Sequence, residues 1–119
     1  MVSVEGVSEG RTMGAVVEGA GGTVTNDPGH HRLLWNREGD EAELVYRRSG
    51  ERLFLIHTEV PEELAGHGIA GQLVQAAVDW AQSDKLIVIP WCPYARKWLQ
   101  EHPAAAGKLR IDWKSQPSR

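Results

Sequence analysis

Residues 52–71 read Arg52-Leu53-Phe54-Leu55-Ile56-His57-Thr58-Glu59-Val60-Pro61-Glu62-Glu63-Leu64-Ala65-Gly66-His67-Gly68-Ile69-Ala70-Gly71. From Leu53 to Ile56 the apolar residues fill both odd and even positions, as a central strand covered on both faces requires. Pro61, which cannot donate to a sheet ladder, ends the strand. Beyond a glycine-rich turn, Ile69, Leu73, Ala76, Ala77, Trp80 and Ala81, widened by Val74 and Val78, recur at helical spacing as far as Ser83. A strand, a glycine loop and an amphipathic helix therefore follow one another, the unit from which mixed sheets with packed helices are built.

Upstream, Asp27-Pro28-Gly29 is a turn signal, and two short strands are expected at His31–Asn36 and Ala42–Arg47, joined through Glu38-Gly39-Asp40. Ser49-Gly50 closes a hairpin onto the central strand. Downstream, Leu86 to Ile89 is a short β-branched run stopped by Pro90. Tyr94 to Glu101 is a shorter helix with Pro93 in its first turn and Pro103 past its end. Leu109, Ile111 and Trp113 alternate as a last strand. The expected fold is α/β (α+β): a mixed, mostly antiparallel twisted sheet carrying one long and one short helix.

The chain has 119 residues, 41% of them hydrophobic and 24% charged, which suits a single domain. Every aromatic residue lies between Trp35 and Trp113. Residues 1–29 are glycine-rich and aperiodic, and read as a disordered tail in which Met13 is a possible alternative start. The domain is expected at 30–114, followed by a short tail at 115–119. The net charge of -3 resides in the first 29 residues (Glu5, Glu9, Glu18 and Asp27 against Arg11), leaving the rest neutral. A neutral body disfavours phosphate-backbone contacts, so no nucleic-acid partner is expected. A single cysteine, Cys92, excludes an internal disulfide and a cysteine-rich zinc site, and fits a reducing compartment. With no long apolar run and no leader-like N-terminus, the expected location is cytoplasmic, away from the membrane.

The glycine loop between strand and helix places backbone N–H groups at the positive end of a helix, a setting that suits a phosphate. Gly66, Gly68 and Gly71 also spell the dinucleotide fingerprint, but the strand before them is the third, and Pro61 to Ala65 intervene. The next strand ends in Pro90-Trp91 rather than in a ribose-binding acid, and about 50 residues are too few for the second half of such a fold. A P-loop is excluded because no Gly-Lys-Ser/Thr follows.

The loop resembles the pyrophosphate loop of the GNAT superfamily of N-acetyltransferases, Gln/Arg-x-x-Gly-x-Gly/Ala, with Ala65, Gly66, His67, Gly68, Ile69 and Ala70 in the six places. Ala65 departs from the usual Gln or Arg, which removes a side-chain contact but leaves the backbone cradle. The chain is similar, more specifically, to the short single-domain GNAT-like family with a His-Thr-Glu-Val-Pro strand end and a Pro-x-Cys-Pro segment. Here these are His57 to Pro61 and Pro90 to Pro93, and the likeness spans about residues 30 to 103. It implies a GNAT-like fold lacking the acceptor-recognising helices between its first two strands. It also implies acetyl-coenzyme A as cofactor, held by Val60, Ala65, Gly66, His67, Gly68, Ile69, Ala70 and Tyr94, and an amine acceptor on a small molecule or peptide. The alternative is a coenzyme A-binding module or adaptor without turnover.

Acetyl transfer to an amine needs a base, since an amine of pKa near 10.4 is almost wholly protonated at neutral pH. His57 and Glu59, two apart on one strand and so expected on one face, are the candidates; each is equally well an ordinary strand residue. If the strands ending near Val60 and Pro90 lie side by side, Cys92 is expected to face His57. There it would act as nucleophile or proton donor, unless it is simply a small buried hydrophobe. Tyr94 is a second proton donor. His67 can touch a phosphate or solvent, and Arg96 and Lys97 either reach the 3'-phosphate or line a solvated helix face. His30 and His31 point oppositely in a strand, so no metal site is expected.

Overall fold

The computed structural model describes residues 22–115. Six strands, β1 (Thr23–Asp27), β2 (Arg32–Arg37), β3 (Asp40–Ser49), β4 (Arg52–Glu59), β5 (Ile87–Pro90) and β6 (Arg110–Ile111), form one sheet in chain order. The first four are antiparallel neighbours, whereas β4–β5 and β5–β6 are parallel. Parallel neighbours need crossovers, supplied by α1 (Ile69–Asp84) and by α2 (Pro93–Glu101) followed by α3 (Pro103–Ala106). The architecture is the expected mixed α/β one with a mostly antiparallel sheet.

Alternation along the strands sends Leu33, Trp35, Leu44, Tyr46, Leu53, Leu55 and Val88 into a single core with Leu73, Ala77, Ala95 and Leu99 of the helices. Burying Leu33, Leu44, Leu53, Leu55 and Leu73 completely contributes about 1.5–3 kcal/mol for each side chain, and this holds the β4–α1 unit rigid. Trp80, at the far end of α1, meets Tyr46 edge-on with ring centroids 4.9 Å apart.

Four expectations change. The domain begins earlier than residue 30: Thr23–Asp27 pairs antiparallel with β2, and Val24 is buried. Its Thr-Val-Thr alternation was hidden among glycines, one of which, Gly22, is demanded by packing. A Cβ there would lie 2.1 Å from the buried Trp35 indole. Residues 1–21, with Met13, and residues 116–119 lie outside the described residues. His31 is not in a strand but caps a 3-10 turn at φ 55, so β2 starts at Arg32. The last strand shrinks to Arg110–Ile111, while Leu109, Ile111 and Trp113 still pack against the core. Pro103 does more than stop α2, because it opens α3.

Candidate active site

The central strand has two unlike halves. Arg52 to Leu55 lies between β3 and β5, in register with Ile87 to Pro90. After Pro90 the chain turns into α2, and the last link across is the Cys92 N–H donating to the Leu55 carbonyl at 2.7 Å. From Ile56 to Glu59, β4 keeps β3 as its only strand neighbour among the described residues. The edge facing α2 is therefore open.

A β-bulge marks the change. Leu55 stands opposite Tyr46 and His57 opposite Val45, so Ile56 is an extra residue. Strict alternation from Leu53 and Leu55 would turn His57 inward. The bulge turns Thr58 inward instead, opposite the buried Leu44. Thr58 Oγ1 lies 3.2 Å from Cys92 Sγ. The expected facing of His57 and Cys92 is thus corrected, since one inserted residue exchanges the imidazole for a hydroxyl. His57 and Glu59 do share a face, on the side away from the core. They are bonded to each other, Nε2 to Oε1 at 3.1 Å, with side chains 58% and 68% exposed. Beside Glu59 is a shallow cavity of about 140 Å³ lined by Arg32, Leu34, Glu41, Glu43 and Pro61.

Between β4 and α1, a 3-10 turn at Glu62–Leu64 anchors the loop through buried Leu64. Gly66 and Gly68 adopt left-handed φ values of 85° and 75°, and the space where a Cβ would stand is open at both. Gly68 caps α1, and no side chain caps the helix. The first helical bond runs from the Gln72 N–H to the Gly68 carbonyl, so the amides of Gly68, Ile69, Ala70 and Gly71 have no intrahelical acceptor. Ala65 is extended and exposed, His67 is exposed too, and the Ile69 side chain is buried and offers only its amide. Val60 is half-buried against the core.

Cys92 is buried and caps α2, which carries Tyr94 beside the glycine loop. Although Tyr94 is 42% exposed, its hydroxyl lies over the first turn of α1, where a Cβ on Gly71 would stand 3.6 Å away. Partial burial, with the Glu101 charge adding to it, pushes the phenol pKa up from its ordinary value of 10. Gly71 lets α1 and α2 approach, a role hidden by its resemblance to the last glycine of a dinucleotide motif. Arg96 is engaged by the C-terminal segment. Its guanidinium donates to the Trp113 carbonyl at 2.9 Å and lies over the Trp113 ring, leaving exposed Lys97 as the cation of that pair in solvent. His30 pairs with Asp27 at 3.0 Å. Among the described residues no three His, Cys, Asp or Glu side chains gather as a metal site, and no helix is long and apolar enough to cross a membrane.

Residues 32–108 match the family of GCN5-related N-acetyl-transferases. The chain is 34% identical over 94 residues to Protein NATD1 of Homo sapiens, an alignment covering 76% of this chain and 83% of that protein. It is 40% identical over 65 residues to Protein NATD1 of Gallus gallus, covering 54% of this chain and 59% of that one. Among solved structures, a GCN5-like protein from Staphylococcus aureus, determined in solution by NMR, superposes with a TM-score of 0.58. That match covers 76% of this chain and 91% of the other; at 23% identity it is the fold that the two share.

Proposed function

The chain belongs to the GCN5-related N-acetyltransferase family, and from that premise we propose that it binds acetyl-coenzyme A beside the open half of β4 and acetylates an amine. One observation carries the reading. The N-terminus of α1, capped by no side chain and opened by Gly66 and Gly68, follows a strand whose neighbour has just diverged. Backbone amides from Gly66 to Ala70 would hold the pyrophosphate at the positive end of the helix. The bound cofactor supplies an acetyl group activated as a thioester.

The chain's own residues supply the rest. Making a lysine-like amine neutral at pH 7 costs about 4.6 kcal/mol, and the exposed His57–Glu59 pair takes up that proton. Glu41, Glu43 and Glu59, outnumbering Arg32 around the adjoining cavity, favour a cationic acceptor. At the start of α2, Tyr94 Oη and Cys92 Sγ would hold protons for a departing thiolate; if Cys92 is instead the nucleophile that accepts the acetyl group, Tyr94 is left as the proton donor. The one thiol suits a reducing, cytoplasmic setting.

Calorimetry with acetyl-coenzyme A, against NAD and ATP as controls, tests the cofactor. Saturable binding preferring acetyl-coenzyme A is expected; no binding at millimolar ligand, or preference for NAD, overturns the reading. A panel of small amines and lysine peptides, scored by acceptor-dependent release of free thiol, tests the reaction. Binding without release favours a coenzyme A-binding module, a second reading encouraged by the separation of His57 from Cys92.

A further inference from the structure

We propose that Thr58 is the positioning residue for the Cys92 sulfur. The backbone of Cys92 is fixed from both sides: its N–H donates to Leu55 at 2.7 Å, and its carbonyl accepts the Arg96 N–H at 2.9 Å. What remains free is the rotation that aims Sγ. Thr58, across the sheet at 3.2 Å, is the polar partner of that sulfur. Its β-branched side chain is stiff about χ1, so a hydroxyl at this place is held rather than swept through several rotamers.

A hydroxyl is suited to that task. A threonine O–H donates one bond and accepts others, so it receives the S–H of a thiol and turns to donate to a thiolate. The sulfur therefore keeps its partner through a change of protonation. The bulge at Ile56 spends one ladder position, and its consequence is to bring this hydroxyl, instead of His57, onto the core side where Cys92 lies. A valine, branched at the same atom, would fill nearly the same volume in this part-buried place, so packing alone does not call for threonine. The purpose assigned to Thr58 rests on the proposed acetyl transfer, in which Cys92 acts at the open edge of β4; its bond to the sulfur does not.

The chain has a single cysteine, so the S–H stretching band in the infrared spectrum of the full, unliganded protein reports Cys92 alone. In Thr58→Val the band is expected to move to higher wavenumber, and in Thr58→Ser to stay at the wild-type position. Cys92→Ser, which deletes the band, confirms the assignment. A band unmoved in Thr58→Val overturns the proposal, and a band moved equally in both Thr58 variants assigns the effect to the methyl group and overturns it too. If Thr58→Val fails to fold, Thr58→Ala takes its place, with the same two outcomes judged against Thr58→Ser. Because no cofactor is present, failure here is distinct from failure to bind acetyl-coenzyme A.

Discussion

The two halves of β4 share a strand but not a function. Arg52 to Leu55 has a strand on each side and buries Leu53 and Leu55 completely. Ile56 to Glu59 has a strand on one side, exposes His57 and Glu59, and sets Thr58 against Cys92. The bulge is the border. On the closed side Arg52 to Leu55 is paired with a strand on either side, which yields stability; on the open side the edge facing α2 has no strand partner among the described residues, and the proposed site lies there. Stability and chemistry are thus separated along one strand by about four residues.

This contrast breaks most readily at its closed end. Leu55→Ala is expected to lower unfolding free energy by about 2–5 kcal/mol, whereas Thr58→Val, three residues on, should change it by less than about 1 kcal/mol in a urea titration. Equal losses would mean that the open half is as structural as the closed one. A second large effect comes from the edge strand. Gly22→Ala should cost about 1–3 kcal/mol, because its Cβ would overlap the Trp35 ring, and the same titration measures it.

How far the sequence could show this division depends on the interaction involved. The apolar run at Leu53 to Ile56 and the helical stripe from Ile69 made the β4–loop–α1 unit legible, since burial imposes a period that residue types must obey. The glycine loop was legible because Gly66 and Gly68 are needed at positive φ. The bulge was not. It alters register without altering residue type, so side-by-side strands alone did not tell His57 from Thr58 as the residue facing Cys92, and no signal in the sequence singled out Thr58. β1 was missed for another reason: a short edge strand with one buried side chain, Val24, has almost no pattern to show.

On the open side, binding should respond to charge while stability does not. His67→Glu puts a carboxylate on an exposed loop residue without a left-handed backbone requirement. It is expected to weaken acetyl-coenzyme A binding about fivefold at low salt, with an unchanged urea midpoint; equal affinity would move the phosphates away from this loop. The smallest effect is far from the site. Asp112 is held below its ordinary pKa of 3.8 by the Lys114 N–H, the Arg52 guanidinium and the Ser115 N–H. A depressed carboxylate gives stability that is present above its unfolded pKa and lost as pH falls through the folded one. Asp112→Asn should therefore flatten the loss of stability on acidification below about pH 4, while leaving acetyl-coenzyme A binding at pH 7 unaltered.

The central claim is that the open half of β4 and the glycine loop form one cofactor site. Backbone amide shifts in a two-dimensional ¹⁵N NMR titration of the full chain with acetyl-coenzyme A test it residue by residue. The account predicts that the largest shifts fall on His57 to Val60 and Gly66 to Gly71, with Cys92 and Tyr94 following and Arg52 to Leu55 nearly still. Shifts centred instead on Lys85, Lys108 and Arg110, the cations lining the cavity at the opposite end of the sheet, would contradict it.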